Sequence, residues 1–263
     1  MKSIKKSLVA VAAASAVAMS GAASAVTLTN WYLDTDGVGG NAAFLVKDYL
    51  DLVGTAYAKN TFTGPSTFSF NESGLFQANS ADGGSISGGV DLVPGLNATF
   101  TGTGTGTTGG TLDFNTGTLT IKNSASTTIA TFNLLDGDAT LGASSVLPNG
   151  VVSLVFQATS MTSGYFFDSA MNDLAPISPG ELVFGFATTN AIPLSGNVPN
   201  SLITLYNSAF DPDVTGPIIP NQQTDVFISN NGQYRLAVPE PASLALLGLG
   251  LLGLVGSRRR QSL

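Results

Sequence analysis

Read as alternating apolar and polar positions, most of the chain falls into short segments of period two. Thr67-Phe-Ser-Phe70 puts Phe68 and Phe70 on one face. Thr118–Lys122 does the same with Leu119 and Ile121, and Thr131–Leu134 with Phe132 and Leu134. That period marks half-buried strands. Val151–Gln157 and Glu181–Ala187 are near-continuous apolar runs, as expected of strands covered on both faces. Asp225–Ser229 and Gln233–Ala237 flank Asn230-Asn231-Gly232, a sequence that predicts a hairpin turn. Turn residues recur about every 8–15 positions, which predicts an all-β fold, an antiparallel sandwich or barrel of jelly-roll-like form.

Three segments depart from this pattern. Ala42–Val53 reads as one short helix, with Lys47, Asp48 and Asp51 on one face and Phe44, Leu45, Tyr49 and Leu52 opposite. A strand is the alternative there, since Val46, Asp48, Leu50 and Leu52 share the other period. Thr101–Gly110 (TGTGTGTTGG) is low in complexity and reads as a long loop. Ile192–Pro220 contains Pro193, Pro199, Pro212, Pro217 and Pro220 and reads as coil with edge strands. Within the first of these loops, Gly104-Thr-Gly106-Thr-Thr-Gly109 fits a dinucleotide fingerprint. Strand pattern rather than a helix follows it, from Thr111-Leu-Asp-Phe on, so the βαβ context such a site needs is lacking and it reads as a turn.

The two ends differ from the body. Residues 1–25 form a signal peptide: Lys2, Lys5 and Lys6, then an apolar stretch from Leu8 to Met19, then the cleavage pattern Ala23-Ser24-Ala25. Residues 26–237 form one β-rich domain. Residues 238–263 contain Pro239-Glu240-Pro241, the uncharged stretch Ala242–Gly256, and Arg258, Arg259 and Arg260. As a helix the uncharged stretch is about 22 Å long, short of a hydrocarbon core of roughly 30 Å. The arginines would hold their end in the cytoplasm and leave the domain outside.

Composition narrows the chemistry. The chain has no cysteine and no histidine. Thiol nucleophiles, Ser-His-Asp triads and His- or Cys-ligated metals are therefore excluded. From Asp34 to Glu240 lie 17 acidic residues against four basic ones (Lys47, Lys59, Lys122, Arg235), a balance of −13. Such a surface repels phosphate backbones, so no nucleic-acid partner is expected.

Asp34-Thr-Asp36-Gly37 resembles the opening of a calcium loop. The EF-hand pattern fails because Leu45 stands where the twelfth ligand belongs. A looser site from Asp34, Asp36 and Asn41 remains, and calcium is the one cofactor the sequence admits. Asp136-Gly-Asp138 and Asp211-Pro-Asp213 are similar pairs, equally at home in turns. Trp31-Tyr32 reads either as core or as a sugar-stacking platform. No catalytic residue is assigned and an enzyme is not expected. The alternative function is a carbohydrate-active enzyme or lectin-like module that uses carboxylates.

The order Pro239-Glu240-Pro241, short span, Arg258-Arg259-Arg260 closely resembles the PEP-CTERM sorting signal of Gram-negative bacteria. The resemblance implies transient insertion in the inner membrane and processing by an exosortase near Pro-Glu-Pro. It also implies release to the cell surface or extracellular matrix. Proteins of that kind accompany exopolysaccharide, biofilm or floc formation, so extracellular polysaccharide is the implied partner. The body is similar in layout to flocculation-associated members: a Gly/Thr-rich β body, a Pro/Asn-rich late loop, and Gln223-Thr-Asp-Val-Phe-Ile just before the signal. The function expected is structural or adhesive.

Overall fold

The computed structural model describes residues 25–38, 43–84, 90–91, 95–177, 180, 182–210, 214–215, 217–218 and 222–239. The chain divides into two compact units, Thr27–Ala237 and a second made of Met1–Val26 with Val238–Leu263. The first unit is described below. Ala23, Asn41, Asp211, Asp213, Glu240, Pro241 and Arg258–Arg260 lie outside the described residues, as does the expected sorting helix. Of the expected cleavage and sorting positions, Ala25 opens a short strand and Pro239 closes the last one. Among the described residues no helix is long and apolar enough to cross a membrane.

The strands are β1 (Ala25–Thr27), β2 (Trp31–Leu33), β3 (Phe44–Val46), β4 (Leu50–Phe62), β5 (Thr67–Ala81), β6 (Val90–Asp91) and β7 (Asn97–Thr107). Then follow β8 (Thr111–Lys122), β9 (Thr128–Leu141), β10 (Pro148–Met161), β11 (Phe166–Phe167) and β12 (Val183–Pro193). Helix α1 (Asn200–Ala209) and β13 (Asp225–Pro239) complete the domain. Strands β4, β5, β7, β8, β9, β10, β12 and β13 pair in that order, and β13 pairs back onto β4. Every pairing is antiparallel. The result is a closed eight-stranded up-and-down barrel. Of the two expected forms the barrel is realised, and its strands meander in chain order rather than crossing over as in a jelly roll.

Closure at eight strands leaves an interior that side chains just fill. Phe68, Phe70, Phe76, Phe100, Phe114, Phe156, Phe184, Phe186 and Tyr234 are all buried. Their rings meet edge-on or tilted, as in Phe70–Phe114 at 5.0 Å and Phe186–Tyr234 at 4.4 Å. Each such pair adds about 0.5–1.5 kcal/mol to the gain from burial. So many rings fit because β7 turns glycine inward. A Cβ on Gly104 would lie 2.3 Å from the Phe70 ring, and one on Gly106 would lie 2.4 Å from the ring of Phe68. The low-complexity stretch Thr101–Gly110 is thus mostly strand, not loop. Its alternation of small-inside and hydroxyl-outside carries no hydrophobic signal.

Three other expectations are corrected. Of the stretch Ala42–Val53, the described residues 43–53 are not a helix but contain β3 and the start of β4. The carboxylate of Asp82 accepts the backbone N–H groups of Lys47, Asp48 and Tyr49 at 2.8, 2.7 and 3.1 Å, which turns the chain between the two strands. Asn230-Asn231-Gly232 is not a turn but the middle of β13, opposite Gly54, Val53 and Leu52 of β4. There the absent side chain of Gly232 makes room for the Phe186 ring. Ile192–Pro220 contains α1. Leu202, Ile203 and Tyr206 form its buried face against Tyr57 of β4 and Phe227 of β13, on the outside of the barrel. Ser73 donates to the carbonyl of Leu202, and the Tyr57 hydroxyl donates to Asp225 at 2.7 Å.

A second small sheet, β11-β2-β3, has its own core of Trp31, Leu33, Val46 and Phe166. Trp31 is fully buried and stacks on Phe166 at 6.3 Å, so of its two expected roles the core role is realised.

Candidate functional site

Alternation along β7 that sends glycine inward sends threonine outward. Thr99, Thr101, Thr103, Thr105 and Thr107 lie on the outer face of the barrel. The neighbouring strands continue the pattern. Thr99 stands opposite Thr120, Thr101 opposite Thr118 and Thr103 opposite Thr116 of β8. On the other side Ser69 faces Thr105 and Asn71 faces Thr103 of β7. Beyond β8, Thr131 and Asn133 of β9 face Thr120 and Thr118. Pleated geometry places these groups on a lattice of about 4.8 Å between strands and about 6.7 Å along them. β-branched threonine suits an exposed strand, since it keeps the backbone extended without needing burial. Among the described residues one side-chain bond links the threonines, Thr103 to Thr116 at 2.7 Å. Each hydroxyl both donates and accepts. The face is therefore a repeating, uncharged array of hydrogen-bonding groups presented to water. Lys122 and Asp113 mark its two ends.

Polar outside and aromatic inside is the reverse of a lipid-embedded barrel, whose outer band is apolar.

The acidic residues do other work. Asp34 is fully buried. Its Oδ1 accepts the N–H groups of Asp36 at 3.0 Å and Gly37 at 3.1 Å, while Oδ1 of Asp36 accepts that of Val38 at 2.9 Å. The Asp-Thr-Asp-Gly sequence thus folds a tight turn, in which Gly37 adopts φ of 69° against the Tyr165 ring. Oδ1 of Asp136 accepts the N–H of Gly137. Asp113 and Asp138 stand directly opposite each other on the exposed face of β8 and β9. Among the described residues no group of three or more metal-ligating side chains is gathered at one place.

Two ionisable groups were not expected from the sequence. Glu72 faces into the barrel from β5, between Ala58 of β4 and Gly102 of β7. Burial pushes its carboxyl up to about 8, so it is protonated at neutral pH. The tripeptide Asn71-Glu72-Ser73 gives no sign of this, because the inward phase of β5 is set by Phe68 and Phe70. Arg235 makes a two-pronged contact with Asp48, 3.1 Å from Nε and 3.0 Å from Nη2, and lies 5.2 Å above the Tyr49 ring. That contact holds the guanidinium charged and fastens the start of β4 to β13.

The domain is an aromatic-filled up-and-down barrel with a hydroxyl-rich outer wall. Residues 237–260 match the PEP-CTERM protein-sorting motif. The chain carries the signal of an exosortase-processed protein bound for the cell surface or the extracellular space. No curated protein and no solved structure matches the chain.

Proposed function

We propose that the processed protein is a structural or adhesive component of the extracellular matrix of a Gram-negative cell, and that it holds polysaccharide through the threonine face of β7 and β8. It would pass through the inner membrane before exosortase releases it. The observation that carries this reading is the phase of β7, which turns every threonine of Thr99–Thr107 toward water. A strand needs only one polar face to be soluble, and charged residues serve that purpose with more solvation. A neutral lattice of hydroxyls instead matches a polyhydroxylated chain, donor for acceptor. Single contacts of this kind are weak. Dense display on a cell surface multiplies them through effective concentration.

The reading is of binding without catalysis and without a protein-held cofactor. Supporting it, the calcium candidates Asp34 and Asp36 use carboxylate oxygens to fold their own turn, and the cross-strand neighbours of Glu72 are Ala58 and Gly102 rather than a second carboxylate.

The test compares the mature protein with a Thr99→Val, Thr101→Val, Thr105→Val variant, in which shape and strand propensity are kept and three hydroxyls are lost. Retention on isolated matrix polysaccharide should fall at least tenfold with the thermal transition in place. Equal retention by the two proteins would refute the assignment.

A further inference from the structure

The barrel wall opens between β8 and β9. Strands β8 and β9 pair from Thr111–Thr140 to Asp113–Asp138, and again from Thr118–Asn133 onward in the same register. Between these blocks, residues 114–117 have no registered partners in residues 134–137. Both strands bulge at this seam. Asn115 is the extra residue of β8 against β7, and Leu135 is the extra residue of β9 against β10. Bulges of this kind bend a strand and re-aim its side chains, and they recur beside functional sites. Leu135 is left 55% exposed.

A groove of about 340 Å³ lies along the outer side of the seam. Its floor is formed by Gly102 and Gly117, which pair directly across β7 and β8. Thr101, Thr118 and Asn133 stand at its sides, and Phe210 closes one end. Phe210 is the C-cap of α1 and is half-buried. The Tyr206 ring, 5.2 Å away, backs it on the side of the helix. Among the described residues no charged side chain lines the groove.

These parts have one chemistry in common. The Phe100 ring fills the space inside Gly102 and Gly117, so backbone alone floors the groove between the outward hydroxyls. A braced aromatic ring offers an apolar surface for the C–H face of a sugar. Hydroxyl and amide groups on both sides donate and accept in the plane of its hydroxyls. The described lining residues offer no cation to compensate for desolvating a uronate or a sulfate ester. We infer that the seam groove is a subsite for one or two residues of a neutral polysaccharide. The inference rests on the polysaccharide reading above. It adds the contact point and the ligand's charge class.

The mature protein is titrated by calorimetry and NMR with neutral hexasaccharides of β-linked glucose, mannose and galactose, and with hexagalacturonate as the acidic probe. At least one neutral oligomer should bind. Phe210→Ala and Asn133→Ala should each weaken that binding at least fivefold, while Thr61→Ala, on β4 and separated from β7 by β5, leaves it unchanged. Asn133 is an exposed strand position, so its variant tests the site even if loss of Phe210 disturbs α1. Two results overturn the inference alone: undiminished binding in both groove variants, or preference for the acidic oligomer by a protein that still adheres to matrix polysaccharide. A wild-type protein that binds neither the oligomers nor the matrix overturns the wider reading as well.

Discussion

Two stretches of the barrel wall share an interior and differ outside. On β4 and β13 the outward positions include Tyr57 and Phe227, and α1 lies over them with Leu202, Ile203 and Tyr206. On β7 and β8 the outward positions are threonine, and among the described residues no helix or strand covers the lattice. The chain invests a helix and a hydrogen bond from Tyr57 to Asp225 where the outer face is apolar. It leaves the hydroxyl wall to water and to whatever binds there. The covered wall holds structure; the bare wall presents chemistry. Apolar surface drives its own covering by about 25 cal/mol per Å² removed from water, and a hydroxyl lattice has no such drive.

The sharpest way to probe the shared interior is pH, because Glu72 touches both walls through Ala58 and Gly102. Its carboxyl is raised from 4.5 to about 8 in the folded state. The folded chain therefore holds a proton that the unfolded chain releases. Stability is full below pH about 4.5, falls as pH rises toward about 8, and is flat beyond, a span on the order of 5 kcal/mol. Urea titrations across that window should show this slope, and Glu72→Gln should abolish it. An unchanged slope in the variant would place the proton elsewhere.

Next in size is the covered wall. Tyr206→Ala removes the ring that meets Tyr57 at 5.1 Å and should cost about 3–5 kcal/mol in chemical denaturation. The outward-facing threonine Thr105, changed to Ala, should move the same transition by no more than about 0.5 kcal/mol. Equal costs at the two positions would erase the distinction between the walls.

The smallest change inverts the bare wall's own logic. Gly104→Ala adds one carbon that would sit 2.3 Å from the Phe70 ring and 2.2 Å from the Asp113 carbonyl oxygen. Overpacking of this sort costs about 1–3 kcal/mol, read as a lowered urea midpoint at unchanged slope.

Much of the fold was legible. Strands announced by paired apolar residues, such as Phe68 with Phe70 and Leu119 with Ile121, are strands in the barrel with those residues inside. The errors have a common origin. Thr101–Gly110 and Asn230–Gly232 are rich in residues that usually punctuate chains, yet both lie within strands because neighbouring Phe rings occupy the space above their glycines. Local propensity sees a turn residue, while packing sees a vacancy for a ring. In Ala42–Val53 a helical period lost to three hydrogen bonds donated by backbone N–H groups to Asp82, over 30 positions along the chain. Helix α1 left a readable trace, with Pro199 at its start and Leu202, Ile203 and Tyr206 at helical spacing, which the prolines around it obscured. The candidate face was half legible. Its hydroxyl composition is plain, but which residues share a side depends on the phase of β7.

The sequence alone determined the sorting signal, the exclusion of thiol and imidazole chemistry, and the all-β class. Each of these is local or compositional, carried by residue types or by a period of two. The tertiary structure decided that the barrel closes, that glycine faces in and threonine out on β7, that Glu72 is a buried acid, and that the seam opens between β8 and β9. These depend on register between strands far apart in the chain. A shift of one residue exchanges the two faces of a strand, and only the packing of the aromatic interior selects among the shifts.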